Sequence, residues 1–109
     1  MEIKTGKTQG KWLELAVSGR VDSLTAAEFE SACRAAIQQG AVWIAVNFGE
    51  VNFLSSAGLR ALLTLHKFAK AQSGGLILVA PQPNVQEVLE VSGFNQILPL
   101  APTLADLPT

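Results

Sequence analysis

Two short runs constrain the fold of this chain more than any other feature: VWIAVNF at 42–48 and LILVA at 76–80. Each is almost wholly apolar, rich in β-formers and too short for a buried helix. A run with no polar side of the pleat reads as a strand covered on both faces, the habit of parallel sheets. Parallel neighbours need a crossover of about a dozen residues or more, and the segment before each run supplies one. LTAAEFESACRAAIQQG (24–40) has Thr25 and Glu28 at capping-box spacing and Leu24 and Phe29 at hydrophobic-staple spacing. Phe29, Cys33, Ala36 and Ile37 fall on one helical face, and Gly40 is placed to end the helix. The second helix begins near residue 56. Leu59, Leu62, Leu63 and His66 sit at i, i+3, i+4, i+7, with Arg60, Thr64 and Lys67 facing away and SGG (73–75) as the stop.

The remaining segments complete the pattern. KWLELAVSG (11–19) alternates Leu13, Leu15 and Val17 against Trp12, Glu14 and Ala16, and EIKTG can pair with it through a turn between Gly6 and Gly10. NVQEVLEVSG (84–93) reads as a short helix capped by Asn84, with Val85, Val88 and Leu89 inward and Gly93 at its end. QILPL adds a last strand, and the tail APTLADLPT has room for one turn of helix. The order β-β-α-β-α-β-α-β predicts a single α/β domain over 1–109. Its sheet is mixed, mostly parallel and four- to five-stranded, flanked by three to four helices. A chain of 109 residues buries roughly two thirds of its unfolded surface, enough for one core. Sites in such sheets gather at the carboxyl ends of the strands, which here means the loops GRVDSLT (19–25) and GEVNFLSSAG (49–58).

Several function classes find no residues to support them. With a net charge of −1 and no lysine or arginine cluster, the chain lacks the footprint for a phosphate backbone, so no nucleic-acid partner is expected. The longest apolar stretch, AVWIAV (41–46), falls far short of the ~20 residues of a spanning helix. MEIKTGK lacks the apolar core of a secretion signal. Cys33 is the single cysteine, so no internal disulfide can form, and a cytoplasmic location is expected. His66, the single histidine, reads as a packing histidine satisfied locally. No GxSxG elbow surrounds the serines, and no phosphate-loop or dinucleotide fingerprint is present. The acids Asp22, Glu28, Glu30, Glu50, Glu87, Glu90 and Asp106 form no local pair. The expectation is a protein that is not an enzyme and has no metal or cofactor.

What remains is Ser55-Ser56, at the head of the second helix. A serine there caps the helix by accepting a hydrogen bond from a first-turn amide, a contribution of about 1 kcal/mol. A hydroxyl in that position is also open to phosphorylation, and the roughly −1.5 to −2 charges added would meet free amides and the positive dipole end without unfolding the helix. Ser56 is the better candidate cap, placing Ala57 at N1 and Gly58 at N2.

VNFLSSAGLRALLTLHK (51–67), with SGRVDSLTAAEFE (18–30) before it and VQEVLEVSGFNQILPL (85–100) after it, resembles a STAS domain. More narrowly, it resembles the small stand-alone anti-sigma factor antagonists of bacteria. The resemblance implies that the serine two before the glycine, Ser56, is phosphorylated by a partner anti-sigma factor kinase, with Ser55 as the alternative acceptor. It also implies that the unmodified form binds the kinase and frees the sigma factor, and that a PP2C-type phosphatase resets the switch. Asp22, in Gly19-Arg20-Val21-Asp22, matches the family's loop and either helps to cap the first helix or contacts the kinase. The chain has Ser55 where many members have an acid, Ala57 where they have a second serine, and Asn47 where they have an aspartate late in the third strand. The expected partner surface comprises Asp22, Ser23, Phe53, Leu54, Ser56, Gly58 and Arg60, on a monomer or weak dimer without membrane insertion. The alternative is a constitutive STAS-like subunit that docks an ATPase in a bacterial lipid-transport complex.

Overall fold

The computed structural model describes residues 1–108. Strand β1 (Glu2–Gln9) and β2 (Trp12–Val21) form an antiparallel hairpin. Helix α1 (Ala26–Gln38) then leads to β3 (Trp43–Leu54), α2 (Ser56–Ala71) to β4 (Gly75–Val79), and α3 (Pro83–Ser92) to β5 (Leu100–Ala101). The sheet order is β1-β2-β3-β4-β5, with every pair after the first parallel. This is the expected mixed sheet, with five strands and three α-helices.

Because the parallel strands follow one another in sequence order, their right-handed crossovers fall on the same side. Leu15 and Val17 of β2, Ile44, Val46 and Phe48 of β3, and Leu76 and Leu78 of β4 face that side. They meet Phe29, Cys33 and Ile37 of α1, Leu59, Leu62 and Leu65 of α2, and Val85 and Leu89 of α3 in one core. The intervening residues Trp12, Ala45, Ile77, Val79 and Ala101 form a second cluster on the opposite face. Among the described residues, none of α1, α2 or α3 contributes to it. The cover is the segment after β5, whose Leu104 and Leu107 lie against the cluster beside Trp43. The Trp12 indole N–H donates to the Pro108 carbonyl (2.7 Å) and the Gln9 amide to the Leu104 carbonyl (2.8 Å). A 3-10 turn at Leu104–Asp106, with Thr103 and Asp106 in a capping box, shapes this strap. The two apolar runs are thus covered on both faces as expected, by helices on one side only.

Four local expectations are corrected. Strand β3 continues to Leu54 rather than ending at 48, because its pairing with β2 skips a residue twice, once between Ala16 and Ser18 and once between Gly19 and Arg20 of β2. Each skip reverses which side chains face the core, and Val51 and Leu54 follow Phe48 out of simple alternation. Thr25 occupies the N-cap of α1 but its side chain makes no cap bond, so the box with Glu28 does not form. Its hydroxyl turns back, donating to the Arg20 carbonyl (2.8 Å) and accepting from the Asp22 amide (2.9 Å). Leu24 is 90% exposed and staples nothing. Gln82, not Asn84, is the N-cap of α3, with Pro83 in the first turn. The Asn84 side chain instead donates to the Asn52 carbonyl (2.8 Å), tying α3 to the end of β3.

Candidate functional site

The carboxyl ends of β2 and β3 and the head of α2 converge, and the chain's local chemistry explains how. The Ser55 amide donates to the Val21 carbonyl (3.0 Å), so the turn into α2 is pinned to the end of β2. Ser55 is extended (φ −94°, ψ 175°) and is the N-cap, its hydroxyl accepting from the Gly58 amide at 3.4 Å. This corrects the expected cap by one residue: Ser56 is the first helical residue and Gly58 the third. The reason lies in the strand bond, which holds Ser55 in the extended conformation a cap requires. The Ser56 side chain is left exposed.

Gly58 is buried, and its missing Cβ is a packing requirement. A Cβ there would lie 2.5 Å from Leu54 Cδ1, 2.8 Å from the Val21 carbonyl oxygen and 3.0 Å from Val21 Cγ1. Helix α2 can approach the ends of β2 and β3 this closely only with glycine at that position. Leu54 is 3% exposed and belongs to the core. Both residues therefore support the expected partner surface from beneath, and neither is presented on it.

Asp22 is held by a dense set of bonds. Its carboxylate accepts from the Leu24 amide (3.0 Å) and from Arg20 Nε (3.2 Å), and its carbonyl accepts from the Ala26 amide (2.8 Å) at the start of α1. The Leu24 amide, with the Arg20 guanidinium and Thr25 adding to it against partial desolvation, holds the Asp22 carboxyl below its ordinary value. Asp22 therefore organises the entry to α1 through backbone and side chain together. Across the strand pair from Phe53 stands Arg20, whose guanidinium carbon lies 4.1 Å from the Phe53 ring centroid. Phe53 is 38% exposed. Arg20 was missed as a site residue in the sequence. A cation two before an acid at a strand end was the available signal, since residues i and i+2 share a strand face.

Ser23, Ala27, Ala57 and Arg60 line a shallow groove of about 270 Å³ between the heads of α1 and α2. The expected surface residues Asp22, Ser23, Phe53, Ser56 and Arg60 are thus distributed around one end of the sheet. They offer the exposed hydroxyls of Ser23 and Ser56, the Phe53 ring with Arg20 stacked on it, and the Arg60 guanidinium.

The other titratable candidates lie elsewhere. Cys33 is buried and desolvation pushes its thiol up to about 12, which makes it inert. His66 is 7% exposed, and its Nδ1 has no hydrogen-bond partner among the described residues. The expectation of a locally satisfied histidine is therefore corrected: the imidazole is packed and half orphaned. Among the described residues, no group of three or more His, Cys, Asp or Glu side chains is placed to hold a metal. No helix among them is long and apolar enough to cross a membrane.

The five-stranded sheet of this order, with a helix capped by Ser55 and seated through Gly58, has the fold of known proteins. The STAS domain family model matches residues 4–107, and the chain belongs to that family. Among its relatives is BtrV of Bordetella bronchiseptica, provisionally named an anti-sigma factor antagonist, 34% identical over 101 residues covering 93% of this chain and 86% of that protein. The crystal structure of an anti-sigma factor antagonist from Mycobacterium paratuberculosis superposes with a TM-score of 0.82 at 27% identity, covering 96% of this chain and 90% of that one. The Bacillus cell-fate determinant SpoIIAA, solved in its phosphorylated form, shares the fold with a TM-score of 0.68 at 24% identity, covering 93% and 92% of the two chains.

Proposed function

We propose that this protein is an anti-sigma factor antagonist that binds an anti-sigma factor serine kinase through the end of the sheet around Ser56 and is switched off by phosphorylation of that residue. The relatives' names support the reading as an anti-sigma factor antagonist. One geometric observation carries the switch at Ser56: the Ser55 hydroxyl is occupied as the helix cap, whereas the Ser56 hydroxyl stands exposed one residue later. Transfer of the γ-phosphoryl group of ATP to Ser56 Oγ would leave the cap and the Val21 hydrogen bond intact. The fold would persist, and the new charge would face whatever docks beside Phe53, Asp22 and Ser23. A PP2C-type phosphatase would return the hydroxyl, and the cycle would regulate transcription indirectly, in the cytoplasm, without a cofactor.

The test is incubation with candidate anti-sigma kinases and ATP, followed by intact mass and phosphopeptide mapping. One phosphate at Ser56 is expected. Ser56→Ala should escape modification and still bind, and Ser56→Asp should stay folded and bind the kinase much more weakly, through repulsion at the interface. Phosphate on Ser55 would move the site by one residue. No phosphate with any kinase, together with full binding by Ser56→Asp, would refute the switch and favour a constitutive subunit that docks an ATPase.

A further inference from the structure

We propose that Arg60 is the counter-charge of the switch: once Ser56 carries a phosphate, the Arg60 guanidinium pairs with it in cis and is withdrawn from the partner surface. This inference rests on the reading of Ser56 as the modified residue and concerns what the modification does. Ser56 and Arg60 lie four apart on α2, both exposed, so their side chains rise from one helical face. The acid precedes the base along the helix, the favourable order for such a pair.

Among the described residues, the charge inventory around them points to Arg60. Arg20, the nearest alternative by strand pairing, is already engaged by Asp22 and seated over Phe53. Glu30 shares the α1–α2 groove with Arg60, yet its carboxylate is engaged by Arg34 at 3.3 Å. Arg60 itself makes no ion pair among the described residues. The first turn of α2 contains no acidic residue. A cation without a partner, one turn from the only exposed hydroxyl of the Ser55-Ser56 pair, is available to the docking partner before modification. A phosphate has three acceptor oxygens and the guanidinium a fork of donors, so the pair can be bidentate. Modification would then alter the surface twice, adding negative charge at position 56 and neutralising positive charge at position 60.

The test installs phosphoserine at position 56 of the full chain during translation, so no kinase is needed, and follows the phosphate by ³¹P NMR across pH. Its second pKa is expected to rise by about half a unit in Arg60→Gln relative to the parent, the size of a helical pair acting on a doubly charged group. The difference should shrink in about 1 M salt. Arg60→Lys should retain part of it. Phosphoserine at position 55, whose i+4 neighbour is Leu59, should show no dependence on Arg60. A phosphate pKa insensitive to Arg60→Gln, or sensitive to Arg20→Gln instead, overturns the proposal. Because the phosphate is supplied directly, failure here is separate from failure of kinases to modify Ser56.

Discussion

Gly58→Ala is the substitution in which two ordinary expectations collide. In an exposed helix, replacing glycine by alanine gains about 1 kcal/mol of helix propensity. Here the new methyl would sit 2.5 Å from Leu54 Cδ1 and 2.8 Å from the Val21 carbonyl oxygen. The leucine tip can rotate only within a packed core, since Leu54 is buried. The carbonyl cannot retreat without straining the Ser55 amide bond that pins the head of α2. Overpacking of this kind costs about 1–3 kcal/mol. Contact with a backbone carbonyl as well as a packed side chain puts the cost at the upper end of that range, about 2–3 kcal/mol; set against the propensity gain, the net is a destabilisation of about 1–2 kcal/mol, or a thermal midpoint lowered by roughly 5–10 °C in a domain of this size. Urea unfolding followed by circular dichroism measures it. Gly58→Ala in a Leu54→Ala background should cost less than the sum of the two single changes, because the leucine clash is gone while the carbonyl clash remains. A Gly58→Ala protein as stable as the parent, or more stable, would refute the close approach of α2 to the strand ends.

Three further outcomes test the same structure. Leu62→Ala and Leu65→Ala should each cost about 2–5 kcal/mol in urea unfolding, Leu63→Ala less because its side chain is half-buried, and Arg60→Ala under about 0.5 kcal/mol; a loss at Leu63 equal to that at Leu65 would contradict the helical phase. Ser55→Ala should lose about 1 kcal/mol as the cap is removed, while Ser56→Ala stays within about 0.5 kcal/mol, and the reverse order by thermal melting would return the cap to Ser56. Desolvation, and secondarily Lys70, holds His66 below its ordinary 6.5, so below 6.5 the unfolded chain binds a proton the folded one resists; the thermal midpoint should fall from pH 7.5 to 5.5, and less steeply in His66→Gln.

The architecture was legible because the apolar runs at 42–48 and 76–80 and their glycine-ended helices agree at every level of pattern. The helical phase of α2 was legible only in part. Leu59, Leu62 and His66 are buried as expected, but Leu65 rather than Leu63 is fully enclosed. An alanine at 61 had hidden this by sharing the buried side without contributing to the apparent stripe. The end of β3 was illegible for a different reason. Its two skipped residues break the period of two, and a strand without that period reads as a loop. The site inherits both effects. Ser55-Ser56, Asp22 and Arg60 stood out as residue types. Which serine caps the helix depended on the Val21–Ser55 hydrogen bond, a contact between positions 34 apart in the chain that no local spacing encodes. Arg20 escaped notice because its role depends on Phe53, which faces it only once the skips in β3 are counted.

The strap over the second sheet face has a practical consequence. Trp12 and Trp43, edge to face with ring centroids 5.3 Å apart, begin β2 and β3, whereas Ser56 follows the far end of β3. Both indoles of the molecule therefore form an optical probe of one region, and their emission reads whether residues 102–108 are seated. Partner docking at the other pole should leave that signal unchanged. A single sample can then be scored for intactness by its intrinsic fluorescence while binding is followed independently.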